Sequence, residues 1–270
     1  MTRDTDPANM VMFGKSFSRE EDCVRERKAF QLAGPHVVPT LGPLVETVRP
    51  GERILTMTKL RSLDEGDFSE WDVELWSELG DLLRRLHEVS VKSVGPICNC
   101  VSLSWCEYLK EYFLVRSEAI GKFSTVLNKF VKEANLEVLD TLSGLPEPSQ
   151  FTLVHRDIRP ANLGRCPLDG SLRLFDFEHC WGGDGLYDLA VVWMDAKFHN
   201  KGQSIARSRD AFLEAYDLGI PRRVFTEHVE PIYALLRSIG AVHWGTINQD
   251  NDIFRIGIEG IENWKSRLEK

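Results

Sequence analysis

The sequence predicts an α+β protein of two lobes, a small β-rich lobe over residues 1–62 and a larger, mainly helical lobe over 63–270. Three observations carry this reading. Strand-like runs enclose a single helix-like run before residue 62, helical periodicity takes over from Trp71, and short apolar runs with turn signals interrupt it between Phe151 and Phe177. A chain of 270 residues with 43% hydrophobic content can bury a sizeable core, which excludes a disordered chain.

In chain order, MVMFGKSF reads as a strand and SREEDCVRERKAFQLAG as a helix. Ser18 is its N-cap with Glu21 three residues on, and Gly34-Pro35 is its stop. VVPTLGPLVETVRPGERILTMTKL holds two β-rich runs around Pro50-Gly51, a hairpin. From Trp71 onward, Trp76, Leu79, Leu83 and Leu86 recur at three- and four-residue steps, the apolar stripe of a helix. A longer helix follows over 105–134, with Tyr108, Tyr112, Ile120, Phe123, Leu127 and Phe130 on its apolar side, and SGLPEPSQ ends it. FTLVH, ANLGRC and SLRLFDF are short strands, the last two joined by the turn Pro167-Leu168-Asp169-Gly170. Past Trp181-Gly182-Gly183-Asp184-Gly185 the chain reads as helical to its end: LYDLAVVWMDA, ARSRDAFLEAYD, VFTEHVEPIYALLRSIGAVHW and an amphipathic run closing at Lys270.

The formal net charge of -8, with no block of Lys or Arg, argues against a nucleic-acid partner, because phosphate neutralisation needs a basic face. It mildly favours cationic or metal-bridged ligands. No apolar run approaches the roughly 20 residues that span a bilayer, and the polar start MTRDTDPANM has no signal core, so no membrane partner is expected. Six scattered cysteines fit reduced thiols and a cytoplasmic location. Cys98, Cys100 and Cys106 do not have the spacing of a structural zinc site.

The chemistry concentrates in LVHRDIRPANLG and SLRLFDFEHC. Asp157 or Asn162 alone would read as a turn residue bonding its own backbone, and His155 as a satisfied, partly buried histidine. Pairing ANLGRC with SLRLFDF brings Asn162 and Asp176 towards each other across two antiparallel strands. One oxygen ligand from each is what magnesium prefers, since it keeps several waters and takes few protein ligands beside phosphates. Asp157, five residues before Asn162, is in reach of an attacking hydroxyl or amine. The cluster therefore has a metal half and a base half.

These residues also carry a resemblance. HRDIRPAN, then LRLFDFEHC, then GDGLYDLA follow the order and short spacing of the aminoglycoside phosphotransferase and choline kinase-like family, a branch of the protein kinase-like fold. The resemblance implies a two-lobed kinase-like fold and phosphorylation of a small-molecule hydroxyl with ATP and Mg2+. It makes Asp157 the catalytic aspartate, Asn162 and Asp176 the magnesium ligands, and Glu178 an acid placed to assist metal or substrate. Asp188 and His155 are implied to brace the catalytic loop, and His87 to pack. ILTMTKL resembles the hinge strand, with Met57 to Leu60 facing the adenine. Lys15 resembles the strand lysine that contacts phosphates and Glu26 its helix partner, although propensity alone leaves Lys15 open as a solvated strand lysine. Arg159 stands where the family keeps a basic residue that contacts the transferring phosphoryl.

The chain also departs from that pattern. Fourteen residues precede Lys15, and the first glycine is Gly14, so the glycine-rich lid over the phosphates is expected to be absent or unconventional and the first lobe truncated. The alternative is accordingly a weak or inactive kinase-like pseudoenzyme acting through binding. Arg156 stands where small-molecule kinases keep glycine, and the short path from Asp176 to LYDLA leaves no room for a long activation loop. Asp184 is the expected local partner of Arg156.

Overall fold

Alternating side chains in ILTMT put Leu55 and Met57 on one face, and both are buried. In the computed structural model, which describes residues 11–17, 19–46, 53–63, 68–99, 101–123, 136–199 and 206–268, this run is the centre of the first sheet. Strands β1 (Met12–Phe17), β2 (Leu41–Glu46) and β3 (Arg53–Thr58) are antiparallel in the order β1-β3-β2. In the backbone register of the β2–β3 pair, Leu44 stands opposite Leu55 and Glu46 opposite Arg53. The Pro50-Gly51 turn lies outside the described residues.

Helix α1 (Glu20–Ala33) buries Cys23, Glu26, Ala29 and Phe30, a stripe of three- and four-residue steps. Its N-cap position is Arg19, with no side-chain cap, which corrects the capping box expected at Ser18; Ser18 itself lies outside the described residues. Glu20, Glu21 and Asp22 stand at the positive helix end instead, and Arg19 Nε donates to Asp22 at 2.7 Å. Gly34, at φ 74°, closes the helix as read from the sequence.

Asp72 caps α2 (Val73–His87) by accepting from the Leu75 amide at 2.7 Å. The stripe of α2 ends in an aromatic cage: the Trp76 ring lies 5.2 Å from Phe68, 5.8 Å from Phe212 and 6.3 Å from Trp193. Strands β4 (Ser90–Val91) and β5 (Gly95–Pro96) lead to α3 (Trp105–Phe123). The expected continuation of α3 to 134, with Leu127 and Phe130, falls outside the described residues, and helix α4 covers 136–143.

Strands β6 (Phe151–Val154), β7 (Leu163–Arg165) and β8 (Leu172–Leu174) form where short strands were expected, and Leu163 pairs with Leu174 in the β7–β8 hairpin. One reading needs correction here. β8 stops at Leu174, because Asp176 takes a left-handed φ of 68° that turns the chain out of the strand. Trp181–Gly183, for which the sequence reading named no element, is strand β9, giving a second sheet in the order β4-β6-β9-β5. Its glycines answer to close approach: a Cβ on Gly182 would lie 2.0 Å from the Ser93 carbonyl oxygen.

The rest is helical: α5 (Leu186–His199), α6 (Ala206–Tyr216), α7 (Arg222–Val224), α8 (Glu230–Asn248) and α9 (Asn251–Leu268). The single helix expected from Val224 is continuous, running through a wide π-helical turn over Phe225–Val229 into α8, with Pro231 at the junction. Among the described residues no helix is long and apolar enough to cross a membrane.

Candidate active site

The loop between β6 and β7 carries His155, Asp157, Arg159 and Asn162, and it is held from below by Asp188 in the first turn of α5. The Asp188 carboxylate is fully buried and accepts the backbone N–H groups of His155 and Arg156, each at 2.7 Å. Its Oδ2 also meets His87 Nε2 at 3.1 Å, while His87 Nδ1 lies 2.8 Å from the Tyr216 hydroxyl. His87 thus does more than pack: it orients the brace.

His155 joins this loop to the one after β8. Its Nδ1 accepts from the Asp157 amide at 3.2 Å, so Nε2 carries the proton donated to the Phe175 carbonyl at 2.9 Å. Burial holds the imidazole below its ordinary value of 6.5, against the opposing pull of Asp188. The unfolded chain therefore binds a proton that the folded chain resists. Stability is full above pH 6.5 and falls as the pH drops below it, by up to about 1.4 kcal/mol per pH unit. Glu26, held up near 7, adds a slope of opposite sign over the same range, so the readout is a difference: the stability gap between the native chain and His155→Gln, from urea titrations between pH 7 and about pH 5, should change by this slope, and a gap that stays constant would overturn the assignment.

Asp157 is largely buried and clamped by charge. Arg237 Nη2 and Arg159 Nε each lie 3.3 Å from its carboxylate, and Asn162 Nδ2 donates to Oδ2 at 3.1 Å and to the Asp157 carbonyl at 2.8 Å. Burial would raise this carboxyl, but Arg237 and then Arg159 outweigh it and hold it below the usual range. It is ionised at neutral pH and able to accept a proton. With Nδ2 committed to Asp157, Asn162 keeps Oδ1 as its available donor atom.

The second half of the site forms around Lys15. Its Nζ lies 2.7 Å from Glu26, 2.5 Å from Asp176 and 3.5 Å from Glu178. A solvated strand lysine does not describe this residue. Burial works against its ammonium, yet Glu26 and Asp176 lift it to about 12, while burial pushes Glu26 up to about 7 against the pull of Lys15. Arg25 Nη1 donates to the Glu178 carbonyl at 2.5 Å and steadies that loop.

Glu26, Asp176 and Glu178 each place an oxygen within 4.8 Å of the others, three carboxylates against one ammonium, and Glu26 Oε1 is buried without a hydrogen-bond partner. Such excess negative charge on hard oxygen donors fits a magnesium ion. Asn162 approaches this cluster through the hairpin, where the Phe175 amide donates to its carbonyl at 3.0 Å, although its side chain bonds Asp157 rather than Asp176.

Met57 and Leu60 line an apolar cleft of about 340 Å³, together with Ala161, Leu163, Phe175 and Phe13, which stands two residues before Lys15 on β1. Arg159 touches Asp157 and half of its side chain is exposed. Arg156 does not pair with Asp184, which accepts instead from the Tyr233 hydroxyl at 2.6 Å and the Leu186 amide at 3.0 Å. A left-handed φ of 75° sends the Arg156 side chain over the Trp181 ring, 3.2 Å from its centre. Sequence reading missed Arg237, whose signal was one arginine inside the otherwise apolar run IYALLRSIGAV.

Many solved structures share this fold, among them the following three. A thermostable mutant of aminoglycoside phosphotransferase APH(4)-Ia, in ternary complex with ADP and hygromycin B, is 12% identical with a TM-score of 0.68, covering 96% of this chain and 87% of its own. An ethanolamine kinase of Plasmodium vivax is 15% identical with a TM-score of 0.60, covering 90% and 71%. The GDP complex of a mutant aminoglycoside 2'-phosphotransferase-IIIa is 14% identical with a TM-score of 0.61, covering 92% and 82%. No curated protein matches the chain by sequence. The architecture is the two-lobed protein kinase-like fold, and the profile described as "Phosphotransferase enzyme family" matches residues 10–225. With four-fifths of its length inside that profile, the chain belongs to the phosphotransferase enzyme family.

Proposed function

We propose that this protein transfers the γ-phosphoryl group of ATP to a hydroxyl of a small molecule, with magnesium. Residues 1–62 form the nucleotide lobe and 63–270 the acceptor lobe, in a cytoplasmic protein. The observation that carries the reading is the pairing of an ionised Asp157, clamped by Arg237 and Arg159, with the Lys15, Glu26, Asp176 and Glu178 cluster. The known complexes of relatives with ADP or GDP support a nucleotide site.

The nucleotide base enters the cleft at Met57 to Leu60, and Lys15, positioned by Glu26, turns from Asp176 to the phosphates. Asp176, Glu178 and Asn162 Oδ1 would hold magnesium, which supplies positive charge to the phosphate oxygens. Asp157 orients the acceptor hydroxyl and takes its proton as the new O–P bond forms and the β,γ-bridging P–O bond breaks. ADP leaves with that electron pair, and Arg159 meets the charge on the moving phosphoryl group. Catalysis is mainly positioning and electrostatics.

A second reading, a nucleotide-binding protein without turnover, is favoured by the Lys15–Asp176 contact, which must open before both groups can serve ATP. Calorimetry with Mg-ATP, followed by ADP release with candidate alcohols, separates the two. Lys15→Met is expected to weaken Mg-ATP binding by at least about tenfold, the scale of a lost charge-assisted contact. Acceptor-dependent ADP release supports transfer, metal-dependent binding without release supports the second reading, and no Mg-ATP binding sinks both.

A further inference from the structure

We propose that the acceptor alcohol carries an anionic group, a carboxylate or a phosphate, seated in an arginine-lined cleft beside Asp157. This deepens the phosphotransferase reading and rests on it for the transfer step. The cleft, of about 320 Å³, lies between α3, the Asp157 loop and β9, with Tyr108, Tyr112 and Trp181 as its aromatic wall. Arg25, Arg116 and Arg156 line it, against Glu111 as the one acid. In a chain of net charge -8 that local balance runs against the composition. It also runs against the cationic ligand that the composition alone favoured.

The two arginines nearest the acceptor side lack counter-charges. Arg116 lies over the Tyr112 ring, 3.5 Å from its centre, and no carboxylate pairs with it among the described residues. Arg156 spends its donors on neutral acceptors, the His179 carbonyl at 3.2 Å and the Tyr112 hydroxyl at 3.5 Å. Its Nε is buried without a partner, whereas Arg25, the third arginine of the lining, is paired with Asp22 at 3.2 Å. A partly dry guanidinium with open donors is unfavourable alone and binds carboxylate or phosphate strongly through its fork of N–H groups. The stacking on Tyr112 and Trp181 fixes both forks before a ligand arrives, so little ordering entropy remains to be lost.

The backbone points the same way. Arg156 occupies a left-handed conformation at φ 75°, which is unfavourable for a residue other than glycine. A side chain kept there brings a guanidinium to the cleft one residue from Asp157. The excess charge is registered nearby, where burial and then Arg116 lower the pKa of His243. A cationic alcohol placed here would meet like charge, which selects against it.

The test uses the full chain with Mg-ADP and four probes: D-gluconate and D-glucose 6-phosphate as the carboxylate and phosphate arms, choline and hygromycin B as cations. At least one anionic probe is expected to bind by calorimetry, and with Mg-ATP to release ADP. Arg116→Glu should weaken that binding by at least about tenfold and Arg116→Lys by less, the loss expected when a charge-assisted pair becomes a repulsion. Failure of both anionic arms to bind overturns the proposal, as does binding that Arg116→Glu leaves unchanged. Transfer to choline or hygromycin B alone overturns it while the phosphotransferase reading stands. Arg116-dependent anion binding without any ADP release supports the cleft and removes the transfer reading.

Discussion

Asp157→Asn is expected to lower turnover about a thousandfold while Mg-ATP affinity changes by less than about twofold, within the range for loss of a positioned proton acceptor. The carboxylate bonds Arg237, Arg159 and Asn162 and touches none of Lys15, Asp176 or Glu178, so the contacts of those three are left in place, and Asn162 keeps its bond from Nδ2 to the Asp157 backbone carbonyl. An asparagine keeps the volume and one oxygen for an arginine, and it cannot take the hydroxyl proton. Because two guanidinium groups then face a neutral amide, a urea titration of the variant must accompany the kinetics. A folded Asp157→Asn that turns over at the native rate would remove Asp157 from the chemistry. A matched fall in affinity and turnover would instead make it a binding group.

The parts of the site that could be read from the sequence share a property: each lies within one short element or one hairpin. The H-x-D-x4-N spacing sets Asp157 and Asn162 on a single loop, and the β7–β8 register carries Asp176 back beside it. Lys15 and Glu26 meet because a strand and the next helix pack as neighbours. What escaped was built by distant helices. Arg237 reaches Asp157 from 80 residues away, and Arg116 and Arg156 share a cleft only because Tyr108 and Tyr112 of α3 pack on Trp181 of β9, so no local pattern announces either. β9 escaped for another reason. Its Trp-Gly-Gly sequence has weak strand propensity, and pairing with β6 and β5 overrides it. The acidic composition could not announce the arginine-lined cleft either, since a net charge averages the surface and says nothing about one cleft.

Asp188→Ala is expected to cost about 3 to 5 kcal/mol of stability, the scale of removing one partner from a buried charged network. The carboxylate is fully buried, and its loss leaves the His155 and Arg156 amides without acceptors and frees His87 Nε2. Each orphaned buried donor costs about 1 to 3 kcal/mol, so the sum reaches that range without any change in packing. Asp188→Asn should recover only part, because its oxygen can serve one amide while its NH2 group confronts the other donor. The loss is local before it is global. Arg156 holds its left-handed φ of 75° against a conformational penalty, and the Asp188 bond to its amide is what resists relaxation. Released, that residue would rotate and carry both the cleft arginine and the neighbouring Asp157 out of position. Hydrogen exchange should therefore speed up at the 155–157 amides, and turnover should fall even where Asp188→Asn remains folded. A variant within about 1 kcal/mol of the native chain, with protected loop amides, would show that the loop holds its shape without the brace.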